Sequence, residues 1–126
     1  MKFFFLLLFP SMIFADVQTC VNDYNAAVVE RNSALGSYKL AKSQKTAADG
    51  VIGASERKRY IKEAKASAIA ALDIFARSEN ILKRVEKPCV QSIVDKANEL
   101  STKNKGDISD VELFKKDMEL TLQLPK

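Results

Sequence analysis

The 126-residue chain contains no histidine and no tryptophan, and it has only two cysteines, three prolines and four glycines. Without histidine there is no Ser-His-Asp triad, no imidazole zinc site and no histidine-ligated haem. The aromatics are few and unevenly placed. Five of the seven phenylalanines (Phe3, Phe4, Phe5, Phe9 and Phe14) fall in the first fifteen residues. Beyond them the chain keeps two phenylalanines, three tyrosines and fourteen alanines in 111 residues, with 19 basic against 16 acidic side chains. That is enough for one small domain and too little for two.

The sparse motifs exclude further chemistry. The EF-hand, P-loop, Gly-x-Gly-x-x-Gly and His-Glu-x-x-His patterns are all missing, and no Asn-x-Ser/Thr sequon occurs. Ser67 with Lys65, and Ser43 with Lys42, lie close in the chain, but nothing marks either pair as a catalytic dyad. Glu56 with Glu63, and Glu79 with Glu86, are each interleaved with Lys or Arg, as on an exposed helix face. No enzyme activity, cofactor or metal is expected.

What is present begins with Lys2, a run of apolar residues from Phe3 to Phe14 interrupted by Pro10, and Ile13-Phe14-Ala15. This is the pattern of a cleaved signal peptide over residues 1–15, and the run is too short to span a bilayer. Cys20 lies beyond the apolar run, after Val17-Gln18-Thr19, so a lipid-acceptor role is not expected. The chain is expected to be exported, to the periplasm rather than the extracellular space. In an oxidising compartment Cys20 and Cys89 permit one intramolecular disulfide, which closes a loop of about 70 residues.

Residues 16–126 read as a single all-α domain. Val17, Val21, Tyr24, Val28, Leu35 and Tyr38 recur at helical spacing beside a second row, Cys20, Ala27, Ala34, Ala41 and Ala48, spaced by seven. This gives a first helix over 17–48, with Arg31 and Lys42 in seam positions and a soft spot at Gly36-Ser37. Gly50-Val51-Ile52-Gly53 makes a turn, and Ser55 caps a second helix over 55–87, ended by Pro88. Its seam is Ile61, Ala64, Ala68, Ala71, Phe75, Ser78, Leu82 and Val85. Further apolar residues between Ala66 and Ala76 predict a central helix buried on several faces. Shorter third and fourth helices are expected over 88–103 and 109–123. Lys103-Asn104-Lys105-Gly106 separates them, and Ser109-Asp110-Val111-Glu112 forms a capping box.

The expected architecture is a long antiparallel helical hairpin, coiled-coil-like with an alanine-rich seam, stapled at its open end by the disulfide. Two short helices cover that end and leave the hairpin tip partly bare. The tip carries Lys39, Lys42, Lys45, Arg57, Lys58, Arg59, Lys62 and Lys65 against Asp49, Glu56 and Glu63, with Val51 and Ile52 at the turn. Residues 107–119 carry five acids against two lysines.

These features lead to an exported, non-catalytic helical protein that acts by protein–protein interaction. A second reading makes the basic tip, with Val51 and Ile52 as its contact point, a binder of anionic lipid or an envelope polymer. The bland alternative is a solvated face with Val51 and Ile52 folded back on Tyr38 and Tyr60. A third reading is an oligomeric or chaperone-like clamp. Nucleic acid is not an expected partner, because base stacking needs aromatics among the lysines.

Overall fold

The computed structural model describes residues 2–85 and 89–124, with side chains from Val17 onward. Three helices account for the fold: α1 (Lys2–Gly50), α2 (Ala54–Val85) and α3 (Gln91–Gln123). The chain is all-α, as its periodicity predicts, and no strand occurs among the described residues. Residues 86–88, including the expected terminator Pro88, lie outside the described residues, as do Pro125 and Lys126. No helix among the described residues is long and apolar enough to cross a membrane.

α1 and α2 form the expected antiparallel hairpin. All eight residues of the predicted α2 seam, Ile61 to Val85, are buried. The heptad row of α1 faces them, with Cys20, Ala27, Ala34, Ala41 and Ala48 all buried. Methyl-sized side chains on α1 let the two backbones approach closely, so bulk comes from the partners, chiefly Phe75, Leu82 and Val85. Lys42, expected in the α1 seam, is exposed instead. The step from Tyr38 by a heptad falls on Lys45.

Cys20 and Cys89 are bonded, with Cα atoms 5.8 Å apart, and staple the open end of the hairpin as expected. Cys89 packs against the cluster of Ala27, Leu82, Val85, Ala97 and Leu100. A disulfide of this kind belongs to an oxidising compartment outside the cytoplasm.

The second half departs from expectation. The two short helices are one continuous helix, α3, of 33 residues. The expected linker 103–106 and the capping box at Ser109 are both inside it. The reason is register. Ala97, Leu100, Asn104, Asp107, Val111, Phe114, Met118 and Leu122 maintain steps of three and four straight through the supposed break, and all are buried or half-buried. Lys103, Lys105, Gly106 and Ser109 fall on the exposed side. A helical glycine costs about 1 kcal/mol relative to alanine, less than the burial of the large side chains that an uninterrupted α3 brings to the seam.

At about 1.5 Å per residue, α2 and α3 are each about 50 Å long, so α3 covers the whole hairpin and the tip is not left bare. Met118 packs with Ala48, Ile61 and Ala64 at that end, and Val111 joins Ala34, Ala41, Ala68, Ala71 and Phe75 in the middle.

α2 is the central helix, packing on both others, while α1 and α3 touch each other least. It is not buried on several sides, however. Ile69 is 42% exposed, and Ala66, Ala70 and Ala76 face solvent. Two neighbours cover only part of a helix circumference. The start of α2 also differs slightly: Arg57 N donates to Gly53 O at 3.0 Å, which places Ser55 in the first turn rather than at the cap.

Candidate functional site

The ten residues singled out at the hairpin tip are brought to one end of the molecule, but they do not behave alike. Ile52 stands 97% exposed on the turn and is not folded back onto the tyrosines, whereas Val51 is half-buried. Several cations are already matched. Lys45 pairs with Asp49 at 2.9 Å, Arg59 with Glu56 at 3.8 Å and Glu63 at 3.9 Å, and Lys65 with Glu119 of α3 at 3.9 Å. Lys42 Nζ sits 4.5 Å above the Tyr38 ring, and Arg59 stacks over Tyr60 at 4.8 Å. Among the described residues no carboxylate pairs with Lys39, Arg57, Lys58 or Lys62. Arg57 Nη2 instead donates to the carbonyl of Val51 at 2.9 Å, which ties the turn to the first turn of α2. Exposed ion pairs add little stability, so their effect here is to neutralise part of the tip's charge.

Beside these residues is a cleft of about 310 Å³. Ala54 and Ile61 of α2 and Leu122 and Leu124 at the end of α3 form its apolar walls, and Arg57 and Lys58 line it as well. Thr121 completes the lining, with its hydroxyl donated to Asp117 O at 2.8 Å. This wall follows from the continuity of α3, which carries Leu122 and Leu124 to the tip.

A second surface follows the outer side of α3. Leu113 and Leu120, spaced by seven, are 64% and 61% exposed and lie on one helix face. Beside Leu113 a shallow groove includes Tyr38 and Phe114 with Asp110 and Asp117. The two rings meet edge to face, with centroids 5.7 Å apart. Burial, and then the carboxylates of Asp110 and Asp107, push the Tyr38 hydroxyl above its ordinary value of 10.0.

Sequence reasoning missed the third feature, a polar relay through the middle of the bundle. Arg31 Nη1 donates to Asn104 Oδ1 at 2.9 Å, and Arg31 Nη2 pairs with Asp107 at 2.6 Å. Asn104 Nδ2 donates to Ser78 Oγ at 3.0 Å, and Ser78 Oγ donates to Ala27 O at 2.8 Å. Ser78 and Asn104 are fully buried, and no buried side-chain nitrogen or oxygen among the described residues lacks a partner. All three helices are joined in this way. The signal available in the sequence was the seven-residue spacing Ala97, Asn104, Val111, Met118, which places Asn104 in the seam.

The two serine–lysine pairs are not brought together as dyads. Ser67 Oγ donates to Gln44 Oε1 at 2.7 Å while Lys65 turns to Glu119, and Lys42 lies over Tyr38. No group of three or more carboxylate or thiol side chains among the described residues is arranged to hold a metal ion. Comparison with family models, curated proteins and solved structures finds no match.

Proposed function

We propose that this chain is an exported, non-catalytic helical protein that acts by protein–protein interaction in the periplasm or extracellular space, with the outer face of α3 as its contact surface. The observation that supports this reading is the exposed pair Leu113 and Leu120, two turns apart on the outer face. A lone exposed leucine is ordinary, but two large ones on the same helix face give a partner two apolar anchor points. Burying each under a partner is worth about 1.5 to 3 kcal/mol, enough to anchor an interface once the polar groups around it are matched. Asp117 on that face and Asp110 beside it favour a partner that is basic around an apolar centre.

In-host crosslinking of wild type and a Leu113→Asp/Leu120→Asp double variant tests the proposal. The wild type should give a discrete heteromeric species that the folded double variant loses. If the two give the same crosslinks, or if the only species is a homo-oligomer, the reading fails, and the homo-oligomer would favour the clamp-like alternative.

A second reading, a binder of anionic envelope components at the tip, is favoured by a different observation: Ile52 projects from the turn beside Arg57, Lys58 and Lys62, which have no carboxylate partner among the described residues. An apolar residue set among unpaired cations suits an anionic interface.

A further inference from the structure

We infer that the cleft between the start of α2 and the end of α3 is a binding site for a single-chain anionic amphiphile, its chain against Ile61, Leu122 and Leu124 and its carboxylate or phosphate head at Arg57 and Lys58. This narrows the second reading from a surface to a site, and rests on the same end of the molecule.

Four observations carry it. The cleft volume, about 310 Å³, falls at the small end of the range for ligand sites, which suits one chain and not a two-tailed lipid. Its walls divide by chemistry: Ala54, Ile61, Leu122 and Leu124 are apolar, the two charged residues that line it are both cations, and no carboxylate is among its lining residues. Both lining cations are also open to an anion, as are Lys39 and Lys62 outside the cleft. Arg59 and Lys65, close in sequence to these cations on α2, are matched by Glu56, Glu63 and Glu119, whereas Arg57 and Lys58 have no carboxylate partner among the described residues. Arg57 is also positioned. One guanidinium nitrogen is held by Val51 O at 2.9 Å, which leaves further N–H donors for an anionic oxygen. A guanidinium already held in place loses less freedom on binding, and its fork matches a carboxylate or phosphate.

Calorimetry and NMR titration of the purified protein with decyl phosphate and with decanoate, each below its micelle concentration, test the inference. Both should bind saturably at one molecule per chain, shifting signals of Ile61, Leu122 and Leu124. Decyltrimethylammonium and inorganic phosphate should each bind about tenfold or more weaker, since each lacks half of the recognition. Arg57→Glu/Lys58→Glu should weaken decyl phosphate by at least about tenfold, while Lys83→Glu/Arg84→Glu, the same charge change near the disulfide end, should leave it unchanged. Both pairs are exposed, so folding is retained and is checked by thermal melting. Equal loss in the two double variants would mean a net-charge effect and overturn the site. Equal binding of inorganic phosphate would reduce it to an anion patch. Binding to phosphatidylglycerol vesicles without binding of the monomeric amphiphiles would also overturn it, leaving the broader surface reading in place.

Discussion

Asn104 Nδ2 donates to Ser78 Oγ at 3.0 Å in the interior of the bundle, where both side chains are fully buried. The contact holds α3 to α2, and through Ser78 Oγ to Ala27 O and Arg31 to Asn104 Oδ1 it reaches α1 on both sides. An apolar seam built largely of alanine and small aliphatics discriminates poorly between neighbouring registers, because one small side chain replaces another when helices slide. A hydrogen-bonded asparagine does not tolerate sliding, since any other register leaves its amide buried without partners.

Replacing Asn104 by alanine is expected to destabilise the fold by about 2 kcal/mol in urea denaturation, through lost hydrogen bonds and a cavity. A double-mutant cycle with Ser78→Ala should give a coupling of about 1 kcal/mol. A coupling near zero would show that the contact contributes nothing beyond packing.

The disulfide leads to a second prediction. Cys20 and Cys89 close a loop of 69 residues' separation. In the chain-entropy account its removal costs about 4 kcal/mol, a large part of the stability of a domain this size. Cys20→Ser should therefore lower Tm by roughly 10 °C or more, and reduction of the wild type with dithiothreitol should lower it equally. An unchanged Tm in either case would refute the staple.

The continuity of α3 can be tested at Gly106. A Cβ built there meets nothing within 4 Å, and the same is true at Gly36 in α1. Gly106→Ala and Gly36→Ala should each raise stability by about 0.5 to 1 kcal/mol, as for exposed sites in helix interiors. Gly106→Pro should cost about 3 kcal/mol or more and uncouple the last turns of α3. If residue 106 were in a flexible linker, the alanine would be close to neutral and the proline tolerated.

Alkaline stability should report on Tyr38. Burial first, and then Asp110 and Asp107, raise its hydroxyl above 10.0 in the native state. The native protein therefore keeps a proton that the unfolded chain has already lost. The stability this group contributes is fully present below pH 10.0 and declines as pH rises through the raised native value. Tyr38→Phe retains the ring packed on Phe114 and removes the titration. The wild-type minus variant difference in stability should fall above about pH 10, and a flat difference would contradict the shift.

The hairpin was legible because its signal is local and repeated. Eight seam residues from Ile61 to Val85 recur at three and four, and the alanine row of α1 recurs at seven, so each helix face declares itself in the order of its own residues. The pairing of Cys20 with Cys89 was equally plain, since two cysteines permit one bond. The continuity of α3 through residues 103–106 is harder to read for a related reason. Lysine, asparagine and glycine together resemble a loop, and the heptad register running through them is visible only if Asn104 is accepted as a buried residue.

What makes Asn104 acceptable there is Ser78, 26 residues away, and Arg31, 73 residues away. The candidate site follows the same division. Local composition announces a cluster of cations at the hairpin tip, with Val51 and Ile52 at the turn. Lys45 and Arg59 find carboxylates within their own helices, but Lys65 is matched by Glu119 of α3, and the cleft exists because Leu122 and Leu124 arrive from α3. Periodicity, turn residues and cysteine count act along the chain and can be read in order. Satisfaction of a buried amide, neutralisation of a lysine and closure of a cleft depend on groups that only folding brings together, and those were decided by the packing of the third helix along the full length of the first two.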